Sequence, residues 1–166
     1  GNTITGSAAT VTGNTQTVAV GALTVVNRST PIAASVVPGA ANVLLAEFGL
    51  DASTSGEDAR VTQVIVTDNF SAGTVANMDI ADWANLRLTK EDGTTLLADI
   101  QQPTSALGTT NSTITFALST PLVVPKKTST ILKLIGDYKT GVGAALEAHT
   151  WRINALTDIT TNGATT

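Results

Sequence analysis

The chain has no cysteine among its 166 residues. That excludes disulfides, zinc-thiolate sites, iron–sulfur clusters and a cysteine nucleophile. It has a single histidine, His149, and a single methionine, Met78. A serine or histidine catalytic set needs an activating base in a defined context, and no G-x-S-x-G or similar motif surrounds a serine here. Only 4% of residues are aromatic and 13% charged. The net charge of -4 gives a nucleic acid repulsion instead of counterion release, so no nucleic-acid partner is expected. No run of eighteen apolar residues occurs, so no membrane-inserted helix is expected. Disorder is also excluded, because it needs low hydrophobicity and high charge, whereas 42% of this chain is hydrophobic.

Small residues fill the space that these absences leave. There are 30 Thr, 23 Ala, 14 Gly and 10 Ser, 77 of the 166 positions. So much threonine with so few lysines is more typical of extracellular β-proteins than of cytosolic enzymes, and an extracellular or cell-surface setting is expected. The start at Gly1 and the internal Met78 suggest an excised or processed segment. The tail TDITTNGATT would run in composition into the opening GNTITGSAATVTG, as in one unit of a beads-on-a-string chain or a subunit joining end to end.

Apolar residues recur with period two in short runs bounded by Gly, Pro, Asn and Asp, which is the pattern of strands. TQTVAVGALTVV (15–26) reads as a strand interrupted at Gly21, and 27–41, with Pro31, Pro38 and Gly39, as a crossing between packing units. In VLLAEFGLDA, Leu44, Ala46, Phe48 and Leu50 share the face expected to point inward. Val61, Val64 and Val66 break strict alternation, so a bulge is expected near Gln63. Residues 68–81 read as a long loop in which ANMDIADWA offers one helical turn. Leu86–Lys90 and Thr95–Ile100 flank Glu91-Asp92-Gly93-Thr94 as a hairpin, with Asp-Gly supplying the positive φ. Ser112–Leu118 directs Ile114, Phe116 and Leu118 inward, Pro121 and Pro125 bracket LVV, and Leu132 and Leu134 oppose Ile131, Lys133 and Ile135. The last expected strand is His149–Leu156, and 157–166 fades out. Seven to nine short strands with turn signals between them predict an all-β, immunoglobulin-like antiparallel β-sandwich over 39–166. Residues 1–38 are expected to be an extended N-terminal arm, edge strand or linker.

From Gly39 to Asp158 the order of runs resembles a β-sandwich repeat of large bacterial surface-layer and cell-surface proteins. The stretches that carry the likeness are VLLAEFGLDAS with GEDARVTQVIVT, DIADWANLRLTKEDGTTLL, TITFALSTPLVVPKKTSTILKLIGDYK, and TWRINALTDITTNGA. They cover about three-quarters of the chain. The resemblance implies a structural, repeated, exported domain without enzymatic activity, and it carries no site residues to transfer. VVPKK departs from it by placing two lysines where a small residue or Gly is common.

The candidate sites are few. Asp51, Glu57 and Asp58 surround one turn, and Asp68, Asp79 and Asp82, with Asn69, another. Loop carboxylates suit calcium, which takes six to eight oxygens, although the spacing matches no EF-hand. The competing reading is that Asp and Asn serve turns by bonding their own backbone. Asn27, Asn69 and Asn111 head N-x-[ST] glycosylation triplets. Trp83 and Phe70 are possible exposed sugar platforms, with core as the alternative. Lys133, Asn154 and Glu47 are the residue types of an isopeptide crosslink, Lys126-Lys127 is a possible edge gatekeeper, and His149 reads as a surface or edge histidine. No catalytic residue and no cofactor beyond possible calcium is expected. The expected function is a non-catalytic structural subunit or repeat, associating with copies of itself or adjacent domains through strand edges and the N-terminal arm. Deleting residues 1–26 is then expected to abolish assembly and leave a folded core. The alternative is a calcium-dependent or carbohydrate-binding adhesin module.

Overall fold

The computed structural model describes residues 22–71, 79–105, 110–140 and 148–162. Its strands are β1 (Thr24–Asn27), β2 (Val43–Asp51), β3 (Ala59–Ser71), β4 (Trp83–Lys90), β5 (Asn111–Val124), β6 (Ser129–Tyr138), β7 (Ala148–Arg152) and β8 (Ile159–Asn162). The only helical pieces among the described residues are two three-residue 3-10 turns, Ile80–Asp82 and Leu156–Asp158. The fold is all-β.

Two antiparallel sheets form. The first has the order β1-β2-β6-β4. In the second, β3 pairs with β5 on one side, while β7 and β8 pair with successive lengths of β3. The inward faces of both sheets share one core. Phe48, Leu50, Leu132, Leu134 and Leu88 come from the first sheet, and Val61, Val64, Val66, Phe116 and Val124 from the second, all buried. Burial of this apolar surface is the main force holding the sheets together. Val and Thr supply the strands because their branched side chains suit a pleated surface.

Irregular points follow local chemistry. The register of β3 against β5 slips between Val61 and Gln63, and this bulge lets all three valines face inward. Across the same slip, β5 inserts Leu118–Pro121 between its partners Ala117 and Leu122. β4 slips between Ala84 and Arg87, where Asn85 adopts φ 50, a conformation that Asn tolerates. Lys127 sits at φ 65 in the turn joining β5 and β6. The lysine pair therefore stands at a turn position that favours glycine, which gives the VVPKK departure a backbone meaning. Lys126-Lys127 closes this turn and does not guard a strand edge: the Lys126 N–H donates to Asp58 Oδ1 and the Lys127 N–H to Ala52 O.

Thr24–Asn27 is an edge strand of the first sheet, one of the forms expected within 1–38, with Thr24 opposite Asp51 and Asn27 opposite Phe48, and Leu23 is buried. A cut after residue 26 would therefore remove a strand. Of the expected arm, 1–21 lies outside the described residues, and 28–38 forms no strand. Other expectations are corrected. β3 runs on to Ser71, so Asp68, Asn69 and Phe70 are strand residues and not loop. Pro121 lies inside β5, which an edge strand permits because one side of its backbone has no ladder to feed. The return after Gly93 is a set of single bridges instead of a strand, and residues 159–162 form β8 with Ile159 buried.

The chain enters at Ala22, whose N–H donates to Ser55 Oγ at 3.1 Å, and Asn162 pairs with Arg60. Both points lie at the end of the fold that carries the Ser53–Asp58 and Pro125–Thr128 turns.

Candidate functional site

The two lateral margins of the molecule determine which strand edges are open. On the β1 side, Asn27 Nδ2 donates to Ile153 O at 2.8 Å and Asn27 Oδ1 accepts from Ile153 N at 2.9 Å. One side chain thus joins the first sheet to the second. On the β4 side, the chain turns at Asp92-Gly93, with Gly93 at φ 72, and returns along β4 as a strap. Lys90 N donates to Thr95 O, Leu97 N to Leu88 O, and Leu86 and Gln101 exchange two bonds of 2.9 Å. The strap then meets β5: Ala98 bridges Leu118, and Ser119 N donates to Leu97 O at 3.3 Å. Leu97, Ala98 and Leu118 are buried at this junction.

Beyond the junction, β5 from Asn111 to Ala117 is paired only with β3 among the described residues. Its other edge presents backbone donors and acceptors over a length of about 23 Å. Natural edges are usually blunted by charge, proline or a bulge. The whole of Asn111–Val124 carries no charged residue, and its one proline falls at the bulge. The exposed positions Asn111, Thr113, Thr115 and Ala117 are small or uncharged. Beside the bulge lies a groove of about 390 Å³, walled by Leu96, Leu97, Pro121, Leu122 and Val123, with Lys90 its one charged lining residue. Leu96 and Val123 are 47% and 43% exposed there.

Comparison with family models, with curated proteins and with solved structures returns no match.

Among the described residues no three His, Asp or Glu side chains form a group able to hold a metal ion. Each acid has local work instead. Asp51 Oδ1 accepts from Ser53 N at 2.7 Å, and that backbone bond lowers its pKa. Glu57 is bound through its backbone to Ser55 Oγ, and Asp58 receives the Lys126 N–H. Asp79 caps the first 3-10 turn by accepting from Ala81 N, and Ser105 Oγ donates to its other oxygen. Asp82 is buried in that turn, its carbonyl accepting from Lys139 N. Asp68 is fully buried, pointing between the sheets from β3. The turn-and-cap role that competes with calcium at the sequence level describes Asp51, Asp58 and Asp79.

His149 is not a surface residue. Its side chain is 8% exposed, and its Nδ1 lies 2.6 Å from Asp68 Oδ2. Trp151 stacks on it, and Phe70 and Trp83 meet it edge-on. Tyr138 packs on Trp83 at 4.9 Å. These rings close the end of the core opposite the chain entry, drawing Trp83 and Tyr138 from one sheet and Phe70, His149 and Trp151 from the other. Trp83 and Phe70 are buried, so neither offers an exposed sugar platform. The alternation Val64, Val66, Asp68, Phe70 is continuous in the sequence and carries the signal for Asp68 facing inward.

Asp137 is the other organised carboxylate. Burial pushes its pKa up, but the Asn42 N–H, Asn85 Nδ2 and the Arg87 guanidinium together hold it below the ordinary value. The glycosylation triplets are unequal. Asn27 is engaged with Ile153, Asn69 has its Nδ2 buried within β3, and Asn111 is exposed at the start of β5. Lys133 pairs with Glu47 at 3.8 Å, whereas Asn154 donates to Thr67 Oγ1 in the other sheet, so the three crosslink candidates are not brought together.

Proposed function

We propose that this chain is a structural module of an extracellular assembly, a surface layer or filament, built as an immunoglobulin-like β-sandwich. Copies join to one another, or to adjacent domains of the same surface protein, through strand edges, and the module performs no catalysis. The observation that carries this reading is the outer edge of β5, long, uncharged and paired on one side only among the described residues. An edge of that kind is a template for another strand unless something blunts it. The small, Thr-rich exposed face of β5 supports the same reading, since it lets a second chain approach without burying charge. The sequence resemblance to surface-layer repeats points the same way.

The test is electron microscopy of the full chain, paired with a variant lacking residues 1–20, a cut that spares Leu23 and β1. Ordered sheets or fibres from the full chain, and none from the shortened one, are the expected result. A full chain that stays monomeric at high concentration rejects the reading.

A further inference from the structure

We propose that the acceptor for a neighbouring copy is the outer edge of β5 from Asn111 to Ala117, and that the strand it accepts is Thr15–Val20 of that copy. The inference rests on the assembly reading above and names the two surfaces that meet.

The acceptor side is defined by geometry. The edge of β5 is open from Asn111 to Ala117 among the described residues, up to the point where the strap crosses at Leu118 and Ser119. Adding a strand here satisfies backbone groups that have no sheet partner among the described residues. The edges at the other lateral margin are shorter, β1 having 4 residues, β7 5 and β8 4.

The donor side is defined by sequence. Residues 1–21 contain no charged side chain, so placing them on the uncharged β5 removes no ion from water. Within them TQTVAV alternates as a strand does. Its positions 15, 17 and 19 read Thr, Thr, Ala. The exposed positions 113, 115 and 117 of β5 also read Thr, Thr, Ala. Laid side by side, the two strands place a matching small-residue ladder on the outer face, where Thr–Thr neighbours interact favourably. The intervening positions are Gln16, Val18 and Val20; the two valines then join the inward row of Ile114 and Phe116, and Gln16 falls at the end of the strand.

The donor comes from another copy because of where the chain enters. Ala22 is held on Ser55 and Leu23 is buried, both at the β1 margin. Only Gly21 separates Val20 from the anchored Ala22, and one residue spans about 3.5 Å. Reaching its own β5 would require a reversal and a crossing of three strand spacings, about 15 Å.

The absence of native cysteine makes cross-linking a clean test. Full-length Thr17→Cys and Thr115→Cys variants are mixed, one of them isotope-labelled, and oxidised. Thr15→Cys and Ala19→Cys sample neighbouring registers, and Thr24→Cys at the β1 margin is the control acceptor. The expected result is a mixed disulfide dimer with Thr115→Cys, at least tenfold above the control and strongest in one register. Equal coupling to both acceptors, or none to Thr115 in any register, overturns the proposal. So does a double variant that closes its disulfide within one chain. Electron microscopy of the same samples separates the two levels. Assemblies without β5 cross-links remove this acceptor and leave the assembly reading standing, whereas a full chain that forms no assembly overturns both.

Discussion

At the β1 margin, the amide of Asn27 reaches across to the backbone of Ile153, and one side chain closes the gap between the sheets. At the β5 margin, a strap of backbone does the same work over two residues, Leu97 and Ala98, and then departs. The first margin is finished by a specific polar contact. The second is finished apolarly at one point and left as an unguarded strand elsewhere. The difference shows that closing a sandwich and protecting its edges are separate problems. Among the described residues β1, β7 and β8 are also paired on one side only, so β5 is set apart by the length of its uncharged edge and not by openness alone.

The largest effect on the fold is expected where the strap crosses. Leu97 is buried between β4 and β5, so Leu97→Ala removes core contacts and is expected to cost about 2–5 kcal/mol in a urea unfolding experiment. Loss near zero would show that the strap is a passenger and that the sheets hold together without it. Opening the other margin is expected to cost less. Asn27→Ala removes two partners of the Ile153 backbone, which is expected to cost about 1–3 kcal/mol. It should also speed hydrogen exchange of the Ile153 amide, whereas exchange in β5 stays as it was.

A smaller effect concerns the β4 side alone. Asp137 ties Asn42, Asn85 and Arg87 together at the bulge of β4. Its folded pKa lies below the unfolded value of about 3.9. Its contribution is therefore present in full above that value and is lost as pH falls below about 4 through the folded pKa. Asp137→Asn is expected to cost about 0.5–1 kcal/mol at neutral pH, an amount suited to a pair that is partly solvent-exposed. It should also flatten the acid limb of the stability curve. An unchanged acid limb would assign that sensitivity to other carboxylates.

Much of the fold was legible because period two is a direct consequence of pleating. Ala46, Phe48 and Leu50, the valines about Gln63, Phe116, and Leu132 with Leu134 all face inward as their spacing requires, but Leu44 does not: β2 slips between Leu44 and Ala46, and Leu45 packs against the core instead. The bulge near Gln63 could be read because no flat strand puts Val61 and Val64 on one face. Two readings failed for one reason, which is that polarity was taken as a sign of a loop. Asp68 and Asn69 continue the alternation of β3, yet an acid and an amide look like a turn until His149 is seen to partner the carboxylate. Ile159 is a single apolar residue among threonines, too little signal for β8, and only its pairing to Val64 gives it a place. Asn27 illustrates a further limit. Its partner is 126 residues away, and no local pattern announces a cross-sheet amide. The edge of β5 was visible as an uncharged alternating run, but whether such a run lies at an edge or in the middle of a sheet depends on strand order, which composition does not contain.

The smallest change in stability carries the sharpest consequence for the two margins. Thr115 is exposed on the outer face of β5. Thr115→Lys alters an exposed surface position and is expected to shift stability by less than about 0.5 kcal/mol. A lysine there is the device that natural edge strands use against pairing, because an added strand would have to bury or displace a hydrated ammonium. Assembly measured by light scattering and microscopy is therefore expected to fail in a protein whose unfolding curve is nearly unchanged. Placing the same charge at exposed Thr24, on the β1 margin, provides the counterpart. If both lysines block assembly equally, the two margins share the contact and their difference in closure has no functional meaning. If only Thr115→Lys blocks it, the edge of β5 is the one that is used, and its length without charge is what distinguishes it from the shorter edge of β1.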